Sequence, residues 1–370
     1  MADRAAVGVS DPVLVVGAGL LGTSIGMALS RAGVTVHLHD LVAEHVRTAT
    51  ALGAGRPLPA PPSGRLDVGA VEPALVVVAV PPDHLGASIA EALLGTGAVV
   101  TDVGSVKAAP LDQVRSLVGE QALSRYVGSH PMAGSERSGP LAASAALFDG
   151  RPWAVVPHAG ADPGAIEAVT ALARACGATP VRFTPEDHDR AVARTSHLPH
   201  LLAALVAGRL ADAPVEHLAL SGQGVRDVTR IAAGDPGLWQ QIVAANTTAL
   251  AELLVDVRDD LDRLLAALAV GDRTAVAGLL DRGVAGQSVI PAKHGGAPRP
   301  EVGVFVVVPD TPGELARLFA HTGEIGVNIE DLRIDHDPVR EYGLVELTVA
   351  AASADHLLGS LEARGWTTHR

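Results

Sequence analysis

Short runs of apolar residues alternate with helix-length segments through about the first 150 residues of the chain. Four of these runs are rich in Val and are bounded by Gly, Pro or Asp, which is typical of buried strands: Val13–Val16, Val34–Leu38, Leu75–Val80 and Ala98–Asp102. Because helical segments separate the runs, the pattern predicts an α/β domain with a parallel, doubly wound sheet. The proline-rich stretch Arg56–Gly64 is predicted to be a surface loop of that domain.

The pattern changes after two further predicted strands, Trp153–Pro157 and Thr179–Arg182, which flank a helix near Ala165–Cys176. From Pro185 to about Val284, long stretches rich in Ala and Leu carry almost no strand signal. These stretches predict an all-helical second domain, and their long apolar faces indicate burial against a partner subunit.

A segment that combines Pro, Gly and charge, Pro291–Pro300, is the clearest linker in the chain. After it, the pattern predicts a small α+β module, with strands at Val302–Val308, Gly326–Asp335 and Tyr342–Ala351 and helices at Gly313–Thr322 and Ala354–Ala363. The predicted domains are therefore residues 1–184, 185–290 and 301–370, with the linker at residues 291–300.

Composition narrows the class of protein. The chain has 370 residues, of which 48% are hydrophobic, so it is long enough for two or three packed domains and is not disordered. Its net charge of -13 argues against a nucleic-acid partner, because neutralising phosphates needs a basic surface. The single cysteine, Cys176, fits a reducing cytoplasm, and neither a signal segment nor an apolar run of membrane-spanning length is found. We therefore expect a cytoplasmic protein that does not bind a membrane.

A glycine-rich loop directly follows the first predicted strand and opens a helix. Its residues are Gly17, Ala18, Gly19, Leu20, Leu21 and Gly22, the GxGxxG spacing of a Rossmann-type dinucleotide-binding fold. The glycines allow a tight turn and a close approach of the backbone to a pyrophosphate, which the helix N-terminus attracts. Asp40 ends the next strand, where its carboxylate can accept the ribose hydroxyls of NAD and would repel the extra phosphate of NADP. Val80 and Pro81 are further expected cofactor contacts, and the alternative is a glycine-rich turn that binds nothing.

Three later segments are unusually rich in polar residues. The first runs from Thr101 to Lys107 at the carboxyl end of a predicted strand, where open parallel sheets bind their ligands. Its Ser105 could reach a nicotinamide or a substrate, or it could cap a helix that begins near Val106.

The second segment, Gly128–Glu136, follows a short predicted strand at Tyr126–Gly128 and contains His130. A histidine next to a proline and a Gly-Ser-Glu turn is poorly explained by packing alone. Histidine is also the usual side chain for taking a hydroxyl proton near neutral pH, so His130 is a candidate general base.

The third segment, Thr195–His200, is predicted to lie in the first helix of the second domain. His197 and His200 share one face of that helix, and Pro199 is expected to bend it. A zinc pair is disfavoured because no further ligand has the expected spacing, so we expect no metal.

The motifs GAGLLG, DVGSVK, GSHPMAGSE and SHLPH, in this order, resemble the prephenate/arogenate dehydrogenase family, as does the helix from Gly222 to Ala232. The resemblance spans roughly residues 13–290. It implies that His130 is the catalytic histidine that binds the ring hydroxyl and that Arg230 holds a substrate carboxylate. The other residues of the implied pocket are Ser105, which is counted as catalytic, and Ser135, Glu136, Ser196, His197 and His200.

Two neighbouring residues are left out of this expected site. Arg226, one helical turn before Arg230, could reach a second carboxylate but is favoured as a surface ion pair. His188, which two acidic residues flank, is expected at a helix start, where acids complement the helix dipole.

The resemblance implies an NAD-dependent dehydrogenase that oxidatively decarboxylates prephenate to 4-hydroxyphenylpyruvate in tyrosine biosynthesis. Arogenate and 4-amino-4-deoxyprephenate are alternative substrates that the sequence does not separate from prephenate. The family also implies a homodimer built on the helical region. The HPMAGSE and SHLPH segments argue against a β-hydroxyacid or pyrroline-carboxylate dehydrogenase, and the intact His130 and Arg230 argue against a catalytically inactive sensor of NAD and an amino acid.

The C-terminal module resembles an ACT domain, a module with a βαββαβ pattern that often binds an amino acid at the turn before its first helix. The resemblance rests on the strand and turn Val304–Gly313, a helix, and the segment Gly326–Ile329. Asp310 and Asn328 are the expected ligand contacts, and feedback inhibition by tyrosine is the hypothesis. A purely structural module is the alternative.

Overall fold

The computed structural model describes residues 8–58, 71–133, 138–290, 300–336 and 342–370. The chain divides into two compact units, Met1–Arg263 and Leu264–Arg370. Within the described residues, no helix is both long and apolar enough to cross a membrane.

The first unit begins with a five-stranded parallel sheet whose strand order is β3-β2-β1-β4-β5. Its strands are β1 (Val13–Val16), β2 (Val36–His39), β3 (Arg56–Pro57), β4 (Leu75–Val78) and β5 (Val99–Asp102), and its helices are α1 (Leu20–Arg31), α2 (Ala43–Ala51), α3 (Pro82–Gly95), α4 (Ala108–Leu117) and α5 (Glu120–Leu123). Alternate residues of β1 enter two separate hydrophobic clusters, so helices cover both faces of the sheet. Burial on both faces explains why β1 is a continuous apolar run, and the predicted doubly wound sheet is confirmed.

A second sheet of three strands adjoins the first. Its elements are β6 (Gly128–Pro131), β7 (Pro152–Val156), α6 (Pro163–Ala175) and β8 (Thr179–Arg182). β6 is antiparallel to β7, while β7 and β8 are parallel. The backbone N–H of Val100 in β5 donates to the Arg125 carbonyl at 3.0 Å, and that of Val127 donates to the Val100 carbonyl at 3.0 Å. β6 therefore continues from the edge of the parallel sheet.

The predicted bounds of the short strand, Tyr126–Gly128, are wrong, because the strand begins and ends later in the chain. Tyr126 makes only an isolated bridge to Val100, and the strand proper begins at Gly128. His130 pairs with Ala154 of β7, so the histidine lies within a strand and not in the turn after it. The pairing partner, far away in sequence, sets this register.

The helical region follows, as predicted, and residues 185–290 contain no strand in the described structure. Its helices are α7 (Pro185–Val192), α8 (Leu198–Ala211), α9 (Val215–Leu218), α10 (Gln223–Thr229), α11 (Pro236–Ala245), α12 (Thr247–Val270) and α13 (Arg273–Ser288). A π-helical turn, Ala193–His197, joins α7 to α8. Pro199 explains this turn, because proline has no N–H to donate and its ring clashes with the carbonyl four residues earlier.

The C-terminal module has the βαββαβ order. It consists of β9 (Glu301–Pro309), α14 (Glu314–Ile325), β10 (Asp331–His336), β11 (Tyr342–Ala350), α15 (Ala351–Glu362) and β12 (Thr367–His369), in an antiparallel sheet of order β10-β11-β9-β12. The strand predicted from Gly326 starts later, because Gly326 has a φ of 76° and ends α14. The sequence analysis missed the short strand β12. The predicted linker at residues 291–300 lies, except for Pro300, outside the described residues.

Candidate functional site

The glycine loop has the geometry of a phosphate-binding turn. Gly17 has a φ of 100°, and a Cβ placed on it would lie 2.3 Å from the Ala79 carbonyl oxygen. A Cβ on Gly22 would lie 1.9 Å from the carbonyl oxygen of Gly17. Glycine is therefore required at both positions. The helix α1 begins immediately after Gly19, which provides no side-chain cap, so the first N–H groups remain available to an anion.

Asp40 lies beside this loop. Its Oδ2 accepts a hydrogen bond from the backbone N–H of Ala18 at 2.7 Å, and its Oδ1 accepts one from Val42 at 2.7 Å. These bonds hold the carboxylate next to the turn, where the ribose of a dinucleotide would lie. Val80 also adjoins the loop, since its backbone nitrogen is 3.2 Å from a Cβ built on Gly17, and Pro81 follows as the N-cap of α3.

A buried polar network fixes the segment after β5. Lys107 pairs with Asp102 Oδ2, and the Tyr126 hydroxyl donates to Asp102 Oδ1 at 2.8 Å. Both charged side chains are almost completely buried, at 1% and 0% exposure. Burial and the neighbouring Asp102 raise the pKa of Tyr126 well above its usual value, so the phenol stays a donor. The Ser129 hydroxyl donates to the Asp102 carbonyl at 2.8 Å, which ties β6 to β5 at this edge.

Ser105 does not cap a helix. The helix α4 begins at Ala108 and its N-cap residue is Lys107, and the first backbone N–H groups donate to the Asp189 carboxylate and not to Ser105. The capping alternative for Ser105 is therefore wrong. Ser105 is partly exposed at the carboxyl edge of the sheet, and its contact with a nicotinamide or substrate stays a prediction.

His130 is partly buried in β6 and contacts a second histidine. Its Nδ1 lies 3.0 Å from Nε2 of His188, and the two rings meet edge to face with centroids 5.2 Å apart. Burial, and then the positive charge that His188, Lys107 and His197 can carry, hold the pKa of His130 well below its usual value. His130 is therefore a neutral imidazole at neutral pH, which is the form that can accept a proton.

The expectation that His188 lies outside the site is wrong. His188 is the fourth residue of α7, near the helix start as predicted, is almost fully buried, and bonds through Nδ1 to Asp189 Oδ1 at 2.8 Å. Of the two acids that flank it, Asp187 is exposed and pairs with Arg190, whereas Asp189 is buried. Asp187 and Asp189 lie on different faces of α7 because successive helical residues are turned by about 100°, but no local signal in the sequence shows which of them is buried.

The histidines of α7 and α8 belong to the same network. The Asn246 side-chain amide donates to the Asp189 carbonyl at 2.9 Å and lies 3.2 Å from His197 Nδ1. His200 stacks on Trp239, with ring centroids 3.5 Å apart and an interplanar angle of 9°. His197 meets the same indole edge to face at 6.0 Å. The sequence analysis missed both Asn246 and Trp239.

Arg230 and Ser196 lie beside this network. His200 Cε1 lies 3.1 Å from a Cβ built on Gly234, the C-cap residue of the 3-10 turn that begins at Arg230. Arg230 begins the 3-10 turn after α10 and is exposed, as is Ser196 in the π-helical turn. The structure thus links His130, His197 and His200 through contacts and brings the end of the turn that begins at Arg230 against His200. Ser135 and Glu136 lie outside the described residues.

The two expected effector contacts are in the C-terminal unit. Asp310 directly follows β9 and is exposed. The Asn328 side-chain amide donates to Glu330 Oε1 at 2.8 Å and is also near the surface. Both lie on the loops that bracket α14.

The parallel topology places the carboxyl ends of β1 and β5 at one edge, so the glycine loop and the segment leading to His130 face the same crevice. A phosphate-binding turn, an acid for the ribose and a neutral imidazole at one edge define a dinucleotide-dependent dehydrogenase.

Two family models match the chain: "Prephenate dehydrogenase, nucleotide-binding domain" over residues 25–182 and "Prephenate dehydrogenase, dimerization domain" over residues 184–281.

Individual relatives agree with the family models. The chain is 35% identical over 365 residues to a protein of Streptomyces niveus described as a probable prephenate dehydrogenase, NovF, covering 95% of this chain and 98% of that relative. The structure of prephenate dehydrogenase from A. aeolicus, in complex with hydroxyphenyl propionate and NAD+, superposes with a TM-score of 0.67 at 26% identity over 76% of this chain and 99% of that one. Synechocystis arogenate dehydrogenase superposes with a TM-score of 0.62 at 25% identity, covering 74% and 98%.

The chain therefore belongs to the prephenate dehydrogenase family and is an NAD-dependent oxidoreductase. The glycine loop and the acid after β2 fit this cofactor, because the turn admits a pyrophosphate without a Cβ clash and the acid lies where a ribose would bind.

We expect the Asp40→Asn variant to discriminate less between NAD and NADP. Losing the charge weakens the hydrogen bond to the ribose, so the KM for NAD should rise roughly tenfold, while repulsion of the NADP phosphate disappears. The measurement is the ratio of kcat/KM for the two cofactors. His45→Ala is the matched control, because it removes the imidazole that lies 3.5 Å from Asp40 but keeps the acid. An unchanged ratio in Asp40→Asn would contradict this role.

His197 makes the stability of the protein depend on pH. Burial lowers the pKa of His197 from 6.5 to about 4, so the unfolded chain takes up a proton at a higher pH than the folded one does. Stability is therefore present above pH 6.5 and is lost as the pH falls towards 4. We expect the free energy of unfolding to fall by about 2 kcal/mol more in the wild type than in His197→Gln between about pH 7.5 and about pH 5. Urea unfolding of both proteins measures this difference, and parallel curves would refute it.

Proposed function

We propose that this chain oxidises prephenate with NAD and releases carbon dioxide and 4-hydroxyphenylpyruvate. The observation that carries the proposal is His130, a neutral imidazole in β6 whose Nδ1 is occupied by a contact at 3.0 Å to His188. Membership of the family and the similarity to proteins described as prephenate dehydrogenases support the choice of substrate.

In the proposed reaction His130 acts as the general base that removes the proton of the ring hydroxyl. Bound NAD supplies the acceptor for the hydride that leaves ring carbon C4. His130 Nε2 takes the hydroxyl proton as the C4 carbonyl forms, which raises the rate by about 10²–10⁴-fold. The C–C bond to the ring carboxylate then breaks, its electron pair makes the ring aromatic, and His130 returns the proton to the phenolate oxygen. Atoms and charge balance with one NADH and one carbon dioxide per turnover.

Arg230 holds a carboxylate of the substrate. Arg230 is exposed and begins the turn whose C-cap residue, Gly234, lies beside His200. A planar guanidinium suits a carboxylate through two parallel charge-assisted hydrogen bonds. The proposed pocket is completed by six further residues: Ser105, Ser135, Glu136, Ser196, His197 and His200.

Arogenate is the second candidate substrate, because this chain also superposes on an arogenate dehydrogenase. The two substrates differ only by an amine or a keto group on the side chain. The test is the initial rate of NADH formation with prephenate, arogenate and 4-amino-4-deoxyprephenate. We expect the highest kcat/KM with prephenate. NADH formation with none of the three would instead favour the inactive sensor.

We also propose a homodimer built on the helical region, in the cytoplasm. Leu261, Leu265 and Leu268 form a stripe along α12, and their side chains are 54–64% exposed. A stripe of this kind is usually covered by a partner, and the matched family model describes this region as a dimerization domain. Sedimentation of the wild type and of Leu265→Glu tests this proposal, and a monomeric wild type would contradict it.

Tyrosine is the proposed effector of the C-terminal module. The βαββαβ order supports an ACT-type module, and Asp310 and Asn328 flank the helix where such a ligand would bind. A tyrosine titration should lower the initial rate and raise the thermal unfolding temperature in the wild type but not in Asn328→Ala. If neither the initial rate nor the unfolding temperature changes, the module has a purely structural role.

A further inference from the structure

We infer that His188 and Asp189 form a positioning pair that sets which ring nitrogen of His130 carries the proton. The inference rests on the proposed function, since it concerns the same base. The observation behind it is a continuous series of hydrogen bonds from the start of α4 to the ring of His130. None of the sequence motifs includes either residue.

The donors and acceptors in this series can be assigned by starting from Asp189. Asp189 Oδ1 accepts from the backbone N–H of Lys107 at 2.8 Å, and Oδ2 accepts from that of Ala108 at 2.9 Å. These two N–H groups belong to the N-terminus of α4, where a carboxylate is favoured. Asn246 in turn donates to the Asp189 carbonyl at 2.9 Å, which holds the residue from the other side. A carboxylate in these contacts can only accept.

Because the Asp189 carboxylate is an acceptor, it determines which ring nitrogens of His188 and His130 donate and which accept. His188 Nδ1, at 2.8 Å from Asp189 Oδ1, must carry a hydrogen and donate it. In a neutral imidazole the other nitrogen has only a lone pair, so His188 Nε2 is an acceptor. His130 Nδ1, at 3.0 Å from that lone pair, must then be the donor. His130 Nε2 is left bare, and it is the nitrogen available to take a proton from substrate.

The protonation states of His188 and His130 agree with this assignment of donors and acceptors. Burial lowers the pKa of His188 and of His130, so both rings are neutral near pH 7. The pair therefore does for His130 what an orienting carboxylate does for the base of a catalytic triad, except that a second imidazole carries the interaction. His188 and Asp189 do not touch the reacting atoms, so they are positioning residues.

The direct test is nitrogen NMR of the protein labelled with ¹⁵N-histidine, without substrate. The His130 signals are assigned by their loss in His130→Asn. We expect the wild-type ring to carry its hydrogen on Nδ1, and in His188→Leu we expect it to move largely to Nε2. A wild-type His130 with its hydrogen on Nε2 overturns the inference whether or not any His188 variant folds.

Kinetics provide the second readout. Turnover in His188→Leu should fall about 10²-fold, with the KM values for NAD and substrate changed less than about threefold. His188→Gln, whose amide oxygen can still accept from His130, should recover most of the turnover. His158→Leu is the matched control, because His158 is also buried but bonds only to backbone groups of Leu123 and Gly160. It should keep wild-type kinetics.

The outcomes separate this inference from the proposed function. If His130→Asn keeps wild-type turnover, the role of His130 as base fails, and the positioning role fails with it. If His130→Asn loses turnover while folded His188→Leu keeps it, only the positioning role fails. A His188→Leu protein that does not unfold cooperatively is replaced by His188→Gln, and the NMR result on the wild type still decides.

Discussion

Replacing His130 by Asn is expected to lower the turnover number by about 10²–10⁴-fold, because in the proposed mechanism His130 is the group that takes the hydroxyl proton. Asparagine keeps a polar though shorter side chain on β6, and the pairing of position 130 with Ala154 is made by the backbone, so the pairing should persist. The glycine loop is on a different element, which means that binding of NAD should survive. The loss is therefore expected in kcat and not in the dissociation constant of NAD.

Two measurements distinguish a loss of turnover from a loss of NAD binding. Single-turnover rates with prephenate report the chemical step, and calorimetric titration with NAD reports cofactor binding. His158→Asn serves as the control for a buried histidine that bonds only to backbone groups. Wild-type turnover in His130→Asn would remove His130 from the mechanism, and loss of NAD binding would show that the variant is misfolded.

Replacing Arg230 by Ala is expected to raise the KM for prephenate roughly 10- to 100-fold, because charge-assisted hydrogen bonds to a carboxylate are lost. The change in kcat should be smaller, since the carboxylate is bound in the ground state and in the transition state alike. Arg230→Lys should recover only part of the affinity, because an ammonium does not offer two parallel donors.

Arg226, in α10 four residues before Arg230, provides a matched control and is similarly exposed. Arg226→Ala should leave the KM within about threefold of the wild type, as expected for an exposed side chain that holds no substrate carboxylate. Michaelis profiles of the two alanine variants give the comparison. Equal effects from both substitutions, or an effect of neither, would contradict the assignment of Arg230 to the carboxylate.

The elements that the sequence predicted well are those that local pattern determines. β1 is a four-residue apolar run followed by a glycine loop, and its predicted bounds match the structure. The strands of the parallel sheet are buried on both faces, which gives continuous Val-rich runs that are easily identified. The fold class, the dinucleotide loop and the helical region could therefore be predicted.

The errors arise where long-range pairing decides the structure. The register of β6 depends on β7, and β12 has only three residues, whose strand character comes from pairing with β9. His188 was correctly placed near a helix start but wrongly left out of the site, for a similar reason. Its flanking acids are typical of an exposed helix start, and only the tertiary fold brings Asp189 to the backbone of α4.

Trp239 and Asn246 illustrate the same limit within the site. Neither residue lies in a motif, yet the indole stacks on His200 and the amide connects His197 to Asp189. A tryptophan in a helix is usually taken as core, and an asparagine as a polar position near a helix end. Their roles follow from three-dimensional neighbours that a single sequence does not reveal.

A crystal structure of the protein with NAD and hydroxyphenyl propionate would test directly whether an imidazole and a guanidinium meet around one ligand. The phenol oxygen should lie within hydrogen-bond distance of His130 Nε2, and the carboxylate should lie against Arg230, with the nicotinamide beside the ring. A ligand bound away from His130, or side chains of residues 130 and 230 that face opposite surfaces, would contradict the proposed chemistry.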